Sequence, residues 1–332
     1  MPKLIAADAV DVLVLVDNAT DFLSSAPSDQ ESELSRFWRR GSRFLAGNLL
    51  CCAAHGLSCA ITARAGSTSR TLLFDAGPDG AVLTSNVARL GFDMGTVDGL
   101  FLSHGHWDHA GGMLAALELM RAARPAHTVP TFMHPGMYRS RALRAADGTM
   151  RPFEDIPSRS VLERHGARVV HATEPAAVLD DLFFLSGEIP RLTPFEKGMP
   201  GQFRRTDDGT GWEPDPLLLD ERFVAVRVKD KGLLVFTACS HAGVVNVVSC
   251  ASTMFPGVPI HAVLGGFHLS GATEGVIPET IAALRKMPIP LIAPAHCTGW
   301  RAVTALANAF PEAVAPSAVG KTYRFGGAGS RA

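Results

Sequence analysis

The run Ser103–Gly112 (SHGHWDHAGG) places three imidazoles and a carboxylate within six residues. It follows an apolar stretch, Val97–Leu102, that reads as a strand. It precedes Met113–Ala123, which is strongly helix-forming. Four polar groups packed together at a strand end would be costly to desolvate without a shared partner. A divalent cation supplies one. In an extended loop His104 and His106 point the same way by two-residue alternation, so both reach one ion. Asp108 and His109 follow where the chain turns into the helix, and they reach a second ion. Imidazole with carboxylate suits zinc, with manganese or iron as alternatives.

The rest of the chain supplies a layered frame for that loop. Val10–Val16 is a β-branched apolar run that reads as a strand. Leu57–Arg64 and Arg70–Phe74 read as two more strands around the turn signal Ala65–Gly66–Ser67. Val82–Leu90 has helical spacing, and Thr128–Met133 is a strand ending at His134. The last third repeats strand then helix: Gly232–Thr237, Val244–Ser252, Ile260–Leu264, Pro278–Met287, Leu291–Ala293, Arg301–Phe310. Such alternation implies βαβ units and sheets covered by helices. No linker divides the 332 residues, so they read as a single domain, 1–332, with excursions near 24–47, 136–165 and 189–220. The last two are poor in regular pattern and read as loops over one edge of the core, where substrate pockets form.

Thirty-one Lys and Arg balance 32 Asp and Glu. The basic excess of a nucleic-acid binder is therefore absent, and the expected partner is a small-molecule substrate. No stretch reaches about 18 consecutive apolar residues, which argues against a membrane span. The six cysteines form no CxxC pair or even framework, and Asp8, Asp11 and Asp17 interrupt the apolar N-terminus. Reduced thiols and a cytoplasmic location are expected. The oligomeric state has no signal in the sequence.

The HxHxDH run after a strand resembles the metallo-β-lactamase superfamily. That resemblance implies an α/β fold, an αββα sandwich with a dinuclear metal site. Leu72–Gly77 is similar to the family's first motif, a strand ending in an Asp, here Asp75, that props the metal loop. Pro294–His296 is similar to its last motif, in which a His at a strand end binds the second metal. Further segments resemble the dihydropterin-ribofuranosylaminobenzene-phosphate synthase-like branch. These are Val14–Asn18, His55–Ser58, Gly187–Arg191, Cys239–Gly243, Gly265–Leu269 and His296–Gly299.

In a βαβ architecture the carboxyl ends of neighbouring strands converge on one crevice, so the histidines there are candidate ligands. His241 completes a three-imidazole set with His104 and His106, and His296 joins Asp108 and His109. His268 is a ligand or a substrate contact, and His134 lies near the pocket. Where most superfamily members read Thr-Gly-Asp, this chain reads Thr237–Ala238–Cys239. Cys239 is thus either a bridging thiolate or a small residue on the pocket floor. Glu188 is a ligand, a substrate contact or a capping acid. Arg191, with Arg204 and Arg205, is an anion clamp or solvated surface. His55 and Asn18 match the branch without a chemical role readable from spacing.

Neither a G-x-G-x-x-G nor a G-x-S-x-G fingerprint is present, so dinucleotide binding and serine hydrolysis find no support. The expected function is a metal-dependent hydrolase in which a metal-bound hydroxide attacks a small ester, lactone or phosphoester. Two zinc ions are the expected cofactor, an anionic small molecule the expected substrate, and Asp108 the group that orients the water or takes its proton. The alternatives are a synthase-like condensation of pterin-cofactor biosynthesis, implied by the branch, and a non-catalytic metal-bound sensor.

Overall fold

A computed structural model of the chain describes residues 3–326. Its frame is two sheets face to face. In the first, the strands run Ala167–His171, Val129–Met133, Gly99–Phe101, Thr68–Phe74, Ser58–Ala65, Ala9–Val16, Thr322–Gly326 and Gln30–Glu31. In the second they run Ala176–Val178, Phe183–Leu185, Val224–Val228, Gly232–Thr237, Ile260–Gly266 and Leu291–Ala295, with Ala6–Ala7 added beside Val224–Val228.

Side-chain alternation along each strand builds the layers. Val10, Val12 and Val14 point into the space between the sheets, with Leu72 and Phe74, and meet Leu234 and Phe236 of the opposite sheet. The intervening Leu13, Leu15 and Leu73 face outward and are covered by Leu83, Val87, Met113 and Leu117 of two helices, Gly80–Leu90 and Met113–Ala123. On the second sheet Leu233, Val235 and Val263 lie under Val247, Val248, Leu284 and Leu306 of the helices Val244–Met254, Ile277–Leu284 and Trp300–Ala309. Each such side chain contributes about 1.5–3 kcal/mol by leaving water. The result is the αββα sandwich.

One expectation fails in an instructive way. The excursions near 136–165 and 189–220 are not loops alone. They pair with each other in a third sheet, ordered Trp212–Pro214, Gln202–Arg205, Arg141–Arg144, Met150–Pro152. These strands are three or four residues long, and most of their side chains are partly exposed. They therefore lack the apolar alternation by which a strand announces itself. Near 24–47 the chain forms a short helix, Glu33–Arg39, capped by Ser32. No helix among the described residues is long and apolar enough to cross a membrane.

Candidate metal centre

The strand ends converge as the βαβ pattern requires. Thr68–Phe74 delivers Asp75, Gly99–Phe101 leads to His104, and Gly232–Thr237 leads to Cys239 and His241. Ile260–Gly266 delivers His268, and Leu291–Ala295 delivers His296. Four residues at these ends hold left-handed backbone: Asp75 (φ 56°), Ser240 (φ 53°), His268 (φ 46°) and His296 (φ 45°). For non-glycine residues this geometry costs on the order of 1–3 kcal/mol each and persists only where the surroundings hold it. The turns aim the side chains inward.

Hydrogen bonds then set which nitrogen of each ring is free. Asp75 is fully buried and accepts from Ser103 N (2.8 Å), Ser103 Oγ (2.8 Å) and His109 Nδ1 (2.7 Å). Because the Ser103 hydroxyl donates to Asp75, it accepts from His104 Nδ1 at 2.9 Å, which leaves His104 Nε2 with a lone pair. His106 Nε2 donates to Gln202 Oε1 at 2.6 Å, which leaves His106 Nδ1 with a lone pair. These two lone pairs face each other 3.0 Å apart. The third imidazole, His241, is buried with neither ring nitrogen hydrogen-bonded. Ligand atoms of His104, His106 and His241 all lie within 4.8 Å of one another. The two facing lone pairs, with no donor bonded between them, repel each other unless a cation stands there, and His241 closes the third side without a hydrogen-bond partner.

A second group adjoins the first. His296 Nδ1 donates to Asn18 Oδ1 (2.9 Å), so its Nε2, 3.3 Å from Asp108 Oδ2, is free. Gly56 N donates to the same Asn18 oxygen, which points the amide nitrogen of Asn18 at His55 Nδ1 (3.1 Å). His55 therefore carries its proton on Nε2, aimed at Asp108 Oδ2 at 3.5 Å. His109 Nε2 lies 3.7 Å from Asp108 Oδ2 and 3.2 Å from Cys239 Sγ, so the sulfur sits between the two groups.

Burial gives the cluster its electrostatics. Burial, with Arg141 nearby, pushes His106 down to about 3, and burial with neighbouring rings holds His104 and His241 well below their ordinary range. All three are neutral, the form that ligates. His109 is driven the other way, up to about 9, because Asp108 and Asp75 outweigh its burial. Asp108 is buried, yet His109 and His296 hold it well below the usual carboxylate range. The donor set fits divalent cations, and the Asp75–His109 bond is the kind of support that orients a metal-binding imidazole.

Several supporting groups escaped the reading of the sequence. Gln202 comes from the third sheet, as does Arg141, which donates to Gly105 O (2.7 Å) and pairs with Asp220. Asp220 in turn accepts from Gly105 N at 3.1 Å. Glu221 accepts from His241 N (2.7 Å) and Ala242 N (2.6 Å), and Glu196 caps the following helix through Val245 N and Asn246 N. Arg191 donates to the carbonyls of His241 and Leu217, which is a positioning role. Arg204 pairs with Glu213 and Arg205 lies over Trp212, both on the partly exposed third sheet. Glu188 is exposed and lines a separate cleft with His134, Glu174 and Arg222. Among the described residues it joins none of the ligand groups. The His268 ring packs against that of His241, tilted by 53°, with centroids 4.4 Å apart.

Residues 63–203 match the model of the metallo-beta-lactamase superfamily. A solved structure of a metal-dependent hydrolase of the beta-lactamase superfamily superposes with a TM-score of 0.71 at 22% identity, over 96% of this chain and 100% of that one. This is a metallo-β-lactamase-fold protein. The metallo-β-lactamase-fold protein YhfI from Bacillus subtilis superposes with a TM-score of 0.50 at 12% identity, over 96% and 100% of the two chains. The resemblance to the synthase-like branch is also borne out. The 7,8-dihydropterin-6-methyl-4-(beta-D-ribofuranosyl)-aminobenzene-5'-phosphate synthase of Methanocaldococcus jannaschii is 28% identical over 274 residues, 82% of this chain and 90% of that protein. Within the metallo-β-lactamase fold, the matched stretch 63–203 contains the HxHxDH loop and Gln202, whereas Cys239, His241, His268 and His296 lie beyond it.

Proposed function

We propose that the chain is a metal-dependent hydrolase acting on a small ester, lactone or phosphoester. The observation that carries this reading is the facing pair of lone pairs on His104 Nε2 and His106 Nδ1, closed on a third side by the unpartnered ring of His241. His104, His106 and His241 would hold one ion, and Asp108, His109 and His296 a second, with zinc the best match to imidazole and carboxylate together. When bound, such ions polarise a substrate oxygen and lower the pKa of a coordinated water toward about 7.

The chain's own residues supply the rest. Asp108 stays ionised, so it can accept a proton from the attacking water or hold that water in line. His55 Nε2 lies 3.5 Å from it on the open side. The His55 side chain is 57% exposed and lies beside the half-buried Trp107, so these two rings mark the side from which a substrate enters. Behind them the imidazoles are buried, which keeps bulk water from competing at the centre.

The alternative is a synthase-like condensation, favoured by the identity to the Methanocaldococcus jannaschii enzyme across most of both chains. A panel of chromogenic esters, lactones and phosphodiesters, with zinc, manganese or iron added, separates the readings. Turnover that a chelator abolishes supports hydrolysis. Silence across the panel in fully metal-loaded protein contradicts it, and leaves the synthase and sensor readings.

A further inference from the structure

Behind the imidazoles lies a second, chemically different set of donors. Cys239, Cys297 and His268 bring their ligand atoms within 4.8 Å of one another. The two sulfurs are 3.2 Å apart, closer than unbonded sulfurs normally rest, and both cysteines are buried. His268 directs at the pair a ring whose Nδ1 is buried without a hydrogen-bond partner, on a backbone held at φ 46°. The three residues come from the ends of three adjacent parallel strands, Gly232–Thr237, Ile260–Gly266 and Leu291–Ala295. Two thiols and an imidazole are soft or borderline donors, unlike the carboxylate-bearing group around Asp108.

The geometry points to a sulfur-lined cation site, formed by Cys239, Cys297 and His268, that shares the Cys239 sulfur with the imidazole centre. Its ligand class is a thiophilic divalent cation such as zinc or cadmium. Manganese and magnesium, which prefer oxygen, are excluded from it. Cys239 can serve both sides because its sulfur also lies 3.2 Å from His109 Nε2. The inference rests on this pocket being a cation site and is independent of which reaction it runs.

The test loads metal-free, fully reduced protein with cadmium alone under exclusion of oxygen. It reads sulfur-to-cadmium charge-transfer absorption, cadmium stoichiometry and alkylation of each cysteine by mass spectrometry. Wild type is expected to show the absorption and to be alkylated at Cys239 and Cys297 more slowly with cadmium than in the metal-free protein. Cys297→Ser is expected to lose about one equivalent of cadmium and most of the absorption. His106→Ala is expected to keep the absorption while losing cadmium from the imidazole set. Because protection is read on the wild-type chain, the inference stays testable even where a cysteine variant fails to fold. Cadmium bound in stoichiometric amount without charge-transfer absorption overturns the sulfur site but leaves the imidazole centre standing. Failure to bind cadmium at all overturns both. Absorption unchanged in Cys297→Ser also overturns the site.

Discussion

Replacing Asp75 by Asn changes one oxygen to an amide nitrogen at a site the structure specifies closely. Asp75 Oδ1 accepts from Ser103 N, and Oδ2 accepts from both Ser103 Oγ and His109 Nδ1. An asparagine can keep its oxygen toward Ser103 N. Its nitrogen then faces the Ser103 hydroxyl, which can turn and accept, and His109 Nδ1, which cannot accept while it carries a proton. The lost bond is buried and charge-assisted, so its removal costs about 1.5–3 kcal/mol of folding stability. With metal bound, when His109 must be neutral, the alternative is to move its proton from Nδ1 to Nε2, and that blocks the nitrogen aimed at Cys239 and Asp108. Either way the ring no longer presents a free, oriented Nε2. Outer-shell partners of this kind alter metal affinity by about 10–100-fold, so zinc affinity at the position held by His109 should fall within that range. The assay is a zinc titration against a chromophoric chelator, with denaturant unfolding of the metal-free protein alongside. Asp75→Asn zinc affinity within twofold of wild type would refute the reasoning, and a loss of stability alone would reduce Asp75 to a support for the fold.

Further predictions follow from the same geometry. His241→Ala should lower metal content by elemental analysis, whereas Glu188→Gln, altering an exposed side chain outside the ligand groups, should leave it unchanged; the reverse order would move the third ligand. Gln202→Ala should weaken metal binding at the three-imidazole set by about tenfold in a calorimetric titration, because His106 loses the acceptor that fixes its free nitrogen. Gly105→Ala should cost about 1–3 kcal/mol in denaturant unfolding, since its new Cβ would lie 2.4 Å from Met137 O and the backbone must shift. Metal-free protein should be most stable near pH 6.5. Below that value His104, His106 and His241 resist the protons that the unfolded chain takes up, so each removes about 1.4 kcal/mol per pH unit until its own folded value, about 3 for His106, is reached. Above it His109 holds a proton the unfolded chain has lost, and its contribution disappears as pH rises through about 9. Unfolding free energies measured from pH 5 to pH 9 check the shape, and a profile rising steadily across that range would contradict it.

What could be read from the sequence, and what could not, divides along physical lines. The HxHxDH loop is contiguous, so its ligand character is visible without a fold. His241 and His268 follow from the inference that parallel strand ends share one crevice, and His296 from that inference together with the family resemblance; the structure brings all three to the same end of the second sheet. Gln202 and Arg141 carry no signal in the sequence because their strands are four residues long and rich in charge, and they pair with each other across Gln202↔Leu143 and Arg204↔Arg141, far apart in sequence. His296 meets Asn18 across 278 residues, and only the fold shows that Asn18 fixes the protonation of both His296 and His55. Cys297 stands next to the candidate ligand His296, yet only its 3.2 Å approach to Cys239 suggests a chemical role.

The central claim is that the imidazoles of the HxHxDH loop and His241 exist to hold a cation. Elemental analysis of wild type and His106→Ala, purified side by side without added metal, tests it directly. The account predicts at least about one equivalent of a transition metal in wild type and the loss of about one equivalent in the variant, because no neighbouring group can replace the lone pair of His106 Nδ1. Equal metal content in the two proteins would contradict it.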